Sequence, residues 1–186
     1  MPLTAKRTAS YDDILALPEN LVGEILAGEL HTHPRPAPRH ARAYSALGYT
    51  IGGPFDGGLG GPGGWWILDE PELHLGDDVI VPDLAGWRRE RMPALPDTAW
   101  FELAPDWVCE ILSPSTARTD RAIKMSIYAR EQVPHLWLVD PDARTLEVYG
   151  LREDGHWLLL ATLKEDDPVR QPPFDAVEFR LDVLWA

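Results

Sequence analysis

Short apolar runs separated by turn-forming residues fill this chain, and their period changes from one segment to the next. Ser10 followed by Asp12 and Asp13 reads as a helix start, with acids in the first turn, and Pro18-Glu19-Asn20 stops that helix after Leu17. The stretch from Gly23 to His33 predicts two strands turning at Ala27-Gly28, a hairpin. Pro34, Pro36 and Pro38 then lead into a helix from Arg39 to about Thr50. Gly52 to Gly64 is too rich in glycine for a regular element, and it lacks the Gly-Lys-Ser/Thr ending and leading strand of a phosphate loop. A flexible loop is expected there. Strands follow at Trp65–Leu68, Glu72–Leu75 and Val79–Trp87, and then a loop carrying Arg88, Arg89 and Arg91.

Trp107 to Leu112 is apolar throughout except for Glu110, the pattern of an interior strand buried on both faces. Ser115 is placed to cap a helix reaching about Glu131, and His135 to Val139 is a second buried strand. Strand, helix and strand in that order make the two strands parallel neighbours. Thr145–Tyr149 and Trp157–Thr162, with turns at Arg144 and Asp154-Gly155, form a meander, and a last strand is expected at Val177–Leu181. The expected architecture is a single mixed α/β domain over residues 1–186. It has a helix and hairpin extension at 10–33 and a β-meander at 145–181.

Composition narrows the class. At 186 residues the chain can bury a core without staples, and its 25% charged residues are ordinary for a globular protein. The single cysteine, Cys109, rules out an intrachain disulfide and suits a reducing, cytoplasmic setting; inside Trp107-Val108-Cys109 it reads as a packing residue. Asp12 and Asp13 spoil the apolar segment of a leader, and no run approaches the ~20 apolar residues of a membrane helix. A net charge of -13 argues against a sequence-independent coat for DNA. Two local basic groups stand out: Arg35, Arg39 and Arg42 with three histidines, and Arg118, Arg121, Lys124 and Arg130. The eight tryptophans fit core positions better than a base-stacking platform.

Three residues carry the candidate chemistry. Asp83, in Val79-Ile80-Val81-Pro82-Asp83-Leu84-Ala85, shares a strand face with Val81 and Ala85. Glu110 shares one with Val108 and Leu112. A carboxylate in an interior strand must be paired, hydrogen-bonded or metal-bound, and two on neighbouring strands repel unless a cation lies between them. A few hard oxygen donors plus water describe a magnesium site, with manganese able to substitute. Lys124, on the following helix beyond Asp120 and Arg121, could point back at the acids and stabilise charge in a phosphoryl transition state. A structural reading accounts for the same residues: Asp83 capping a turn after Pro82, and Glu110 with Lys124 as a buried ion pair.

Pro82-Asp83, Glu110 in its strand, Ser113-Pro114-Ser115-Thr116, then Lys124 and Tyr128, together resemble the Uma family of endonucleases. So do Trp137-Leu138-Val139-Asp140-Pro141, the stretch Tyr11 to Leu17, and Glu24 with Gly28-Glu29-Leu30. The resemblance spans nearly the whole chain. It implies a restriction-endonuclease-like core of the PD-(D/E)XK superfamily, a central mixed sheet flanked by helices. It further implies Asp83, Glu110 and the Ile111 carbonyl as metal ligands, and hydrolysis of DNA by metal-activated water. The superfamily lysine stands two residues after the acid, where this chain has Leu112, so Lys124 takes its part. Glu24 and His40 match further family positions, although Val22-Gly23 precedes Glu24 where the family carries a tyrosine. By themselves His40 reads as a surface histidine and Glu24 as an exposed hairpin residue.

The rival classes are a catalytically idle nuclease fold serving as a nucleic-acid- or protein-binding module, and a carboxylate-pair glycosidase, which leaves Lys124 without a task. A homodimer is the expected assembly, two-fold pairs being the commonest.

Overall fold

In the computed structural model, residues 7–34 and 36–185 are described. Arg35, one of the predicted basic residues, lies outside them. The order of elements is α1 (Tyr11–Leu15), β1 (Leu21–Leu26), β2 (Glu29–Pro34), α2 (Pro38–Ile51), β3 (Trp65–Asp69), β4 (Leu73–Leu75), β5 (Asp78–Ile80), β6 (Leu84–Arg88) and β7 (Trp107–Ile111). A helical stretch follows, made of α3 (Ala117–Thr119), a π turn (Asp120–Lys124) and α4 (Met125–Arg130). Then come β8 (His135–Asp140), β9 (Thr145–Leu151), β10 (Trp157–Lys164), the short pair β11 (Pro168–Val169) and β12 (Phe179–Arg180), and a 3-10 turn (Leu181–Leu184).

Six strands form a mixed sheet in the order β10-β9-β8-β7-β6-β3, in which β7 and β8 are the parallel pair. A smaller antiparallel sheet runs β2-β1-β5-β4. Alternation along β7 divides the core. Trp107, Cys109 and Ile111 point to one face, against α2 and the C-terminal segment, while Val108 points to the other, against α4 and the small sheet. Phe174 lies within 5.6 Å, ring centre to ring centre, of Phe55, Trp65, Trp107 and Trp137, so one side chain ties four aromatic neighbours together.

Four expectations need correction. Val79–Trp87 is not one strand: it breaks at Val81-Pro82-Asp83, with β5 in the small sheet and β6 in the large one. Proline lacks the ladder donor, so the chain changes sheets where pairing fails. Gly52 to Gly64 is not wholly irregular. Gly52–Asp56 extends α2 as a π turn, because Phe55 is drawn into the core, and the Asp56 carboxylate is held by Arg89 and by the Ile67 amide. Ser115 is not the helix cap. The helix begins at Ala117, after a cluster in which the Ser113 hydroxyl meets those of Ser115 and Thr116 at 2.9 and 3.0 Å. The last strand is also shorter than expected, only Phe179–Arg180 before the 3-10 turn.

The hairpin turn at Ala27-Gly28 has φ of 52° and 80°, the paired left-handed conformation that matches strand twist. No helix among the described residues is long and apolar enough to cross a membrane. Removing the central aromatic tests the packing: Phe174→Ala should lower unfolding free energy by about 3–5 kcal/mol, read from the urea midpoint with an unchanged slope.

Candidate active site

The break at Pro82 creates the site. Val81 has left the ladder, so its N–H and C=O need other partners. The N–H donates to Glu24 Oε1 at 2.8 Å, and the carbonyl accepts from Lys124 Nζ at 3.3 Å. Two residues on, Asp83 stands one step beyond the last β6–β7 pair, Leu84 with Cys109, which brings it opposite Glu110. Its Oδ2 accepts the Ile111 N–H at 2.7 Å and its Oδ1 lies 3.2 Å from His40 Nε2. The strand break leaves this side chain 15% exposed, facing a recess of about 670 Å³.

Glu110 is only 2% exposed, on the same face of β7 as Val108, as alternation requires. Tyr128 donates its hydroxyl to Oε1 at 2.5 Å, and Lys124 Nζ lies 3.3 Å from Oε2. Asp120, Lys124 and Tyr128 follow one another at four-residue intervals, so one face of the helical stretch presents all three. The π turn holds the first two, and Asp120 Oδ1 is 3.6 Å from Lys124 Nζ. Glu24, also 2% exposed, approaches from the hairpin, with Oε1 2.9 Å from Nζ and Oε2 3.8 Å from His33 Nε2.

The predicted residues thus form two linked groups: Glu24, Glu110 and Lys124 about the ammonium, and Asp83 with His40 beside the Ile111 backbone. Two expectations from local sequence were wrong. Glu24 is deeply buried rather than exposed, and His40 is enclosed against Asp83 rather than on the surface. Asp120 and the anchoring role of Tyr128 were missed. Their four-residue spacing with Lys124 was the available signal. The second basic group is mostly spent within the fold: Arg121 pairs with Glu147, Arg130 pairs with Asp78, and Lys124 is buried, while Arg118 is exposed.

Electrostatics follow from the count. Three buried carboxylates surround one ammonium, so negative charge is in excess. Burial pushes the Glu110 carboxyl well above its ordinary range, and Lys124 only partly opposes this because Asp120, Asp83 and Glu24 add repulsion. Burial likewise raises Asp120, against the pull of Lys124 and the Thr116 hydroxyl. For Lys124, burial alone favours the neutral amine, but Glu110, Glu24 and Asp120 outweigh it and hold the proton firmly. Burial also pulls His40 down, and it is overcome by the hydrogen bond and charge of Asp83, with the Ile111 backbone adding to the rise.

Such a donor set fits a small hard cation. Asp83 and Glu110 supply carboxylate oxygens with lone pairs to spare, and both border the recess. Among the described residues, no three His, Cys, Asp or Glu side chains are grouped to hold a metal. Magnesium does not ask for that, binding through one or two carboxylates with water and phosphate completing the shell.

Two consequences can be measured. Lys124→Met leaves three buried acids without their cation and should destabilise the fold by about 3–5 kcal/mol at neutral pH. Chemical denaturation should show the deficit narrowing in acid, as Glu110 and Asp120 take up protons. For His40, whose folded pKa is raised above 6.5, the stabilising contribution is full below 6.5 and is lost as pH rises through the folded value. The stability difference between wild type and His40→Gln should therefore be larger in mild acid than in mild base.

Comparison with known proteins agrees with the fold. A solved structure titled as a "putative nuclease belonging to DUF820" from Anabaena variabilis superposes with a TM-score of 0.76, at 24% identity, covering 95% of this chain and 97% of that one. At that identity the likeness concerns architecture, a central mixed sheet with few helices. No curated protein matches the chain. The family model described as "Putative restriction endonuclease" matches residues 11–183. The chain belongs to that family, Uma2.

Proposed function

We propose that the protein is a metal-dependent nuclease that hydrolyses phosphodiester bonds in DNA. The observation that carries this reading is the convergence on one recess of Asp83, Glu110 and Lys124, from a strand break, a central strand and a π turn. Family membership supports the same class of reaction. Asp83, Glu110 and the Ile111 carbonyl would hold magnesium or manganese, and the ion would supply a polarised phosphate and an activated water.

The chain's own residues have definable tasks. The Ile111 N–H fixes Asp83 through Oδ2, and Tyr128 fixes Glu110 through Oε1, so neither carboxylate has to be ordered when substrate arrives. Lys124 keeps its proton throughout the neutral range and presents positive charge where the phosphoryl oxygens become more negative. Glu24 and Asp120 hold the ammonium in place. His40, beside Asp83 at the recess wall, is placed to accept or return a proton from water.

DNA cleavage assayed with magnesium or manganese tests the proposal. Activity should require the divalent ion and fall on the order of 100-fold or more in folded Asp83→Asn, Glu110→Gln and Lys124→Met variants. A wild-type protein that cleaves no DNA and takes up no divalent ion, by calorimetry, would leave an idle fold with a binding role.

A further inference from the structure

We infer that the recess admits an unpaired strand of DNA and excludes the intact duplex; this rests on the nuclease reading above and names its substrate class. The reacting groups do not stand on an open surface. Glu110 and Lys124 are 2% and 4% exposed, so a phosphodiester must descend between walls to reach them. One wall is Leu21 and Val22 with Pro36 and Ala37, and the Ser113–Thr116 turn is another. The recess, about 670 Å³, is of the size that surrounds a small molecule rather than a double helix. Its apolar walls, Leu21, Val22, Pro36 and Pro114, suit the face of a base that has left its stack. No Phe, Tyr or Trp lines the space among the described residues; its rings there are the imidazoles of His33 and His40.

Charge points the same way. A duplex brings one phosphate charge per ~1.7 Å of its axis, and a single strand one per ~3.4 Å. The recess offers little to neutralise the denser array: among the described residues lining it, Lys124 is the one lysine or arginine, and it is already caged by acids. The exposed Glu19 and Glu70 at its edge would repel a second strand. Two nearby arginines are engaged elsewhere, Arg39 with Asp142 and Arg121 with Glu147, and Arg118, just beyond the Ser113–Thr116 turn, is exposed but does not line the recess. A lone strand can pass its phosphate to the floor and lay its base on the wall, with half the repulsion.

The test compares one oligonucleotide as a free strand, as a blunt duplex, and as a duplex with an unpaired tail, each with magnesium or manganese. The free strand and the tail should be cut at least about tenfold faster than the blunt duplex, with cuts confined to unpaired residues. Equal or faster cutting of the blunt duplex overturns the inference and leaves the nuclease reading intact. Binding by Asp83→Asn protein, followed by fluorescence anisotropy, reads the substrate class without catalysis. Tenfold tighter capture of the free strand is expected even if no substrate is cut, an outcome that would remove the nuclease reading alone. Equal capture of strand and duplex overturns the inference.

Discussion

One constraint organises this molecule: more negative charge is buried around Lys124 than that lysine can neutralise. Glu24, Glu110 and Asp120 are each 2% exposed, and all three reach toward one ammonium. Placing carboxylates in such surroundings without full compensation is unfavourable, and a fold selected only for stability would do better with apolar residues of similar volume. The fold therefore carries a cost that only protons or a further cation can relieve. Proton uptake would leave the acids neutral and idle. A doubly charged ion would keep them ionised and offset most of the excess.

The hydrogen bonding shows how the cost is contained. Three carboxylates at the recess are each braced by a partner that is fixed by something else: Glu110 by a helix tyrosine, Asp83 by a strand amide, Glu24 by the amide of Val81. Those partners come from different layers, so the charged centre also joins the small sheet to the large one. The break at Pro82 makes the arrangement possible. An unbroken strand would have spent the N–H and C=O of Val81 on a ladder, and would have left neither Glu24 nor Lys124 a backbone partner there.

Much of this was legible in the sequence, and the losses have physical reasons. Glu110 announced itself because an acid within a continuous apolar strand is costly wherever that strand lies, and alternation then fixed its face. The parallel pairing of β7 and β8 followed from chain order. The strand break at Val81-Pro82-Asp83 was only half legible. Proline signalled lost pairing, but which sheet each half would join depends on contacts remote in sequence. Glu24 was misjudged for a similar reason. A hairpin residue is exposed unless another layer covers it, and the covering layer here begins 96 residues later, at Asp120. The π turn was invisible, since the apolar spacing around it suits an ordinary helix.

The π turn matters because the site must satisfy two demands at once. Tyr128 has to lie deep, where its hydroxyl can reach Glu110 and its ring can join the apolar core between the sheets. Lys124, one interval earlier, has to stay in the acid group at the recess wall, and Asp120 must reach the same wall. A regular α-helix rotates residues four apart by about 40° past one full turn, so three successive such residues spread across the helix surface. A wider turn lowers the rotation per residue over 120–124, where Asp120 Oδ1 stays 3.6 Å from Lys124 Nζ, and α4 then resumes the ordinary pitch and buries Tyr128. The local irregularity thus separates the part of the helix that serves the charged recess from the part that serves the core.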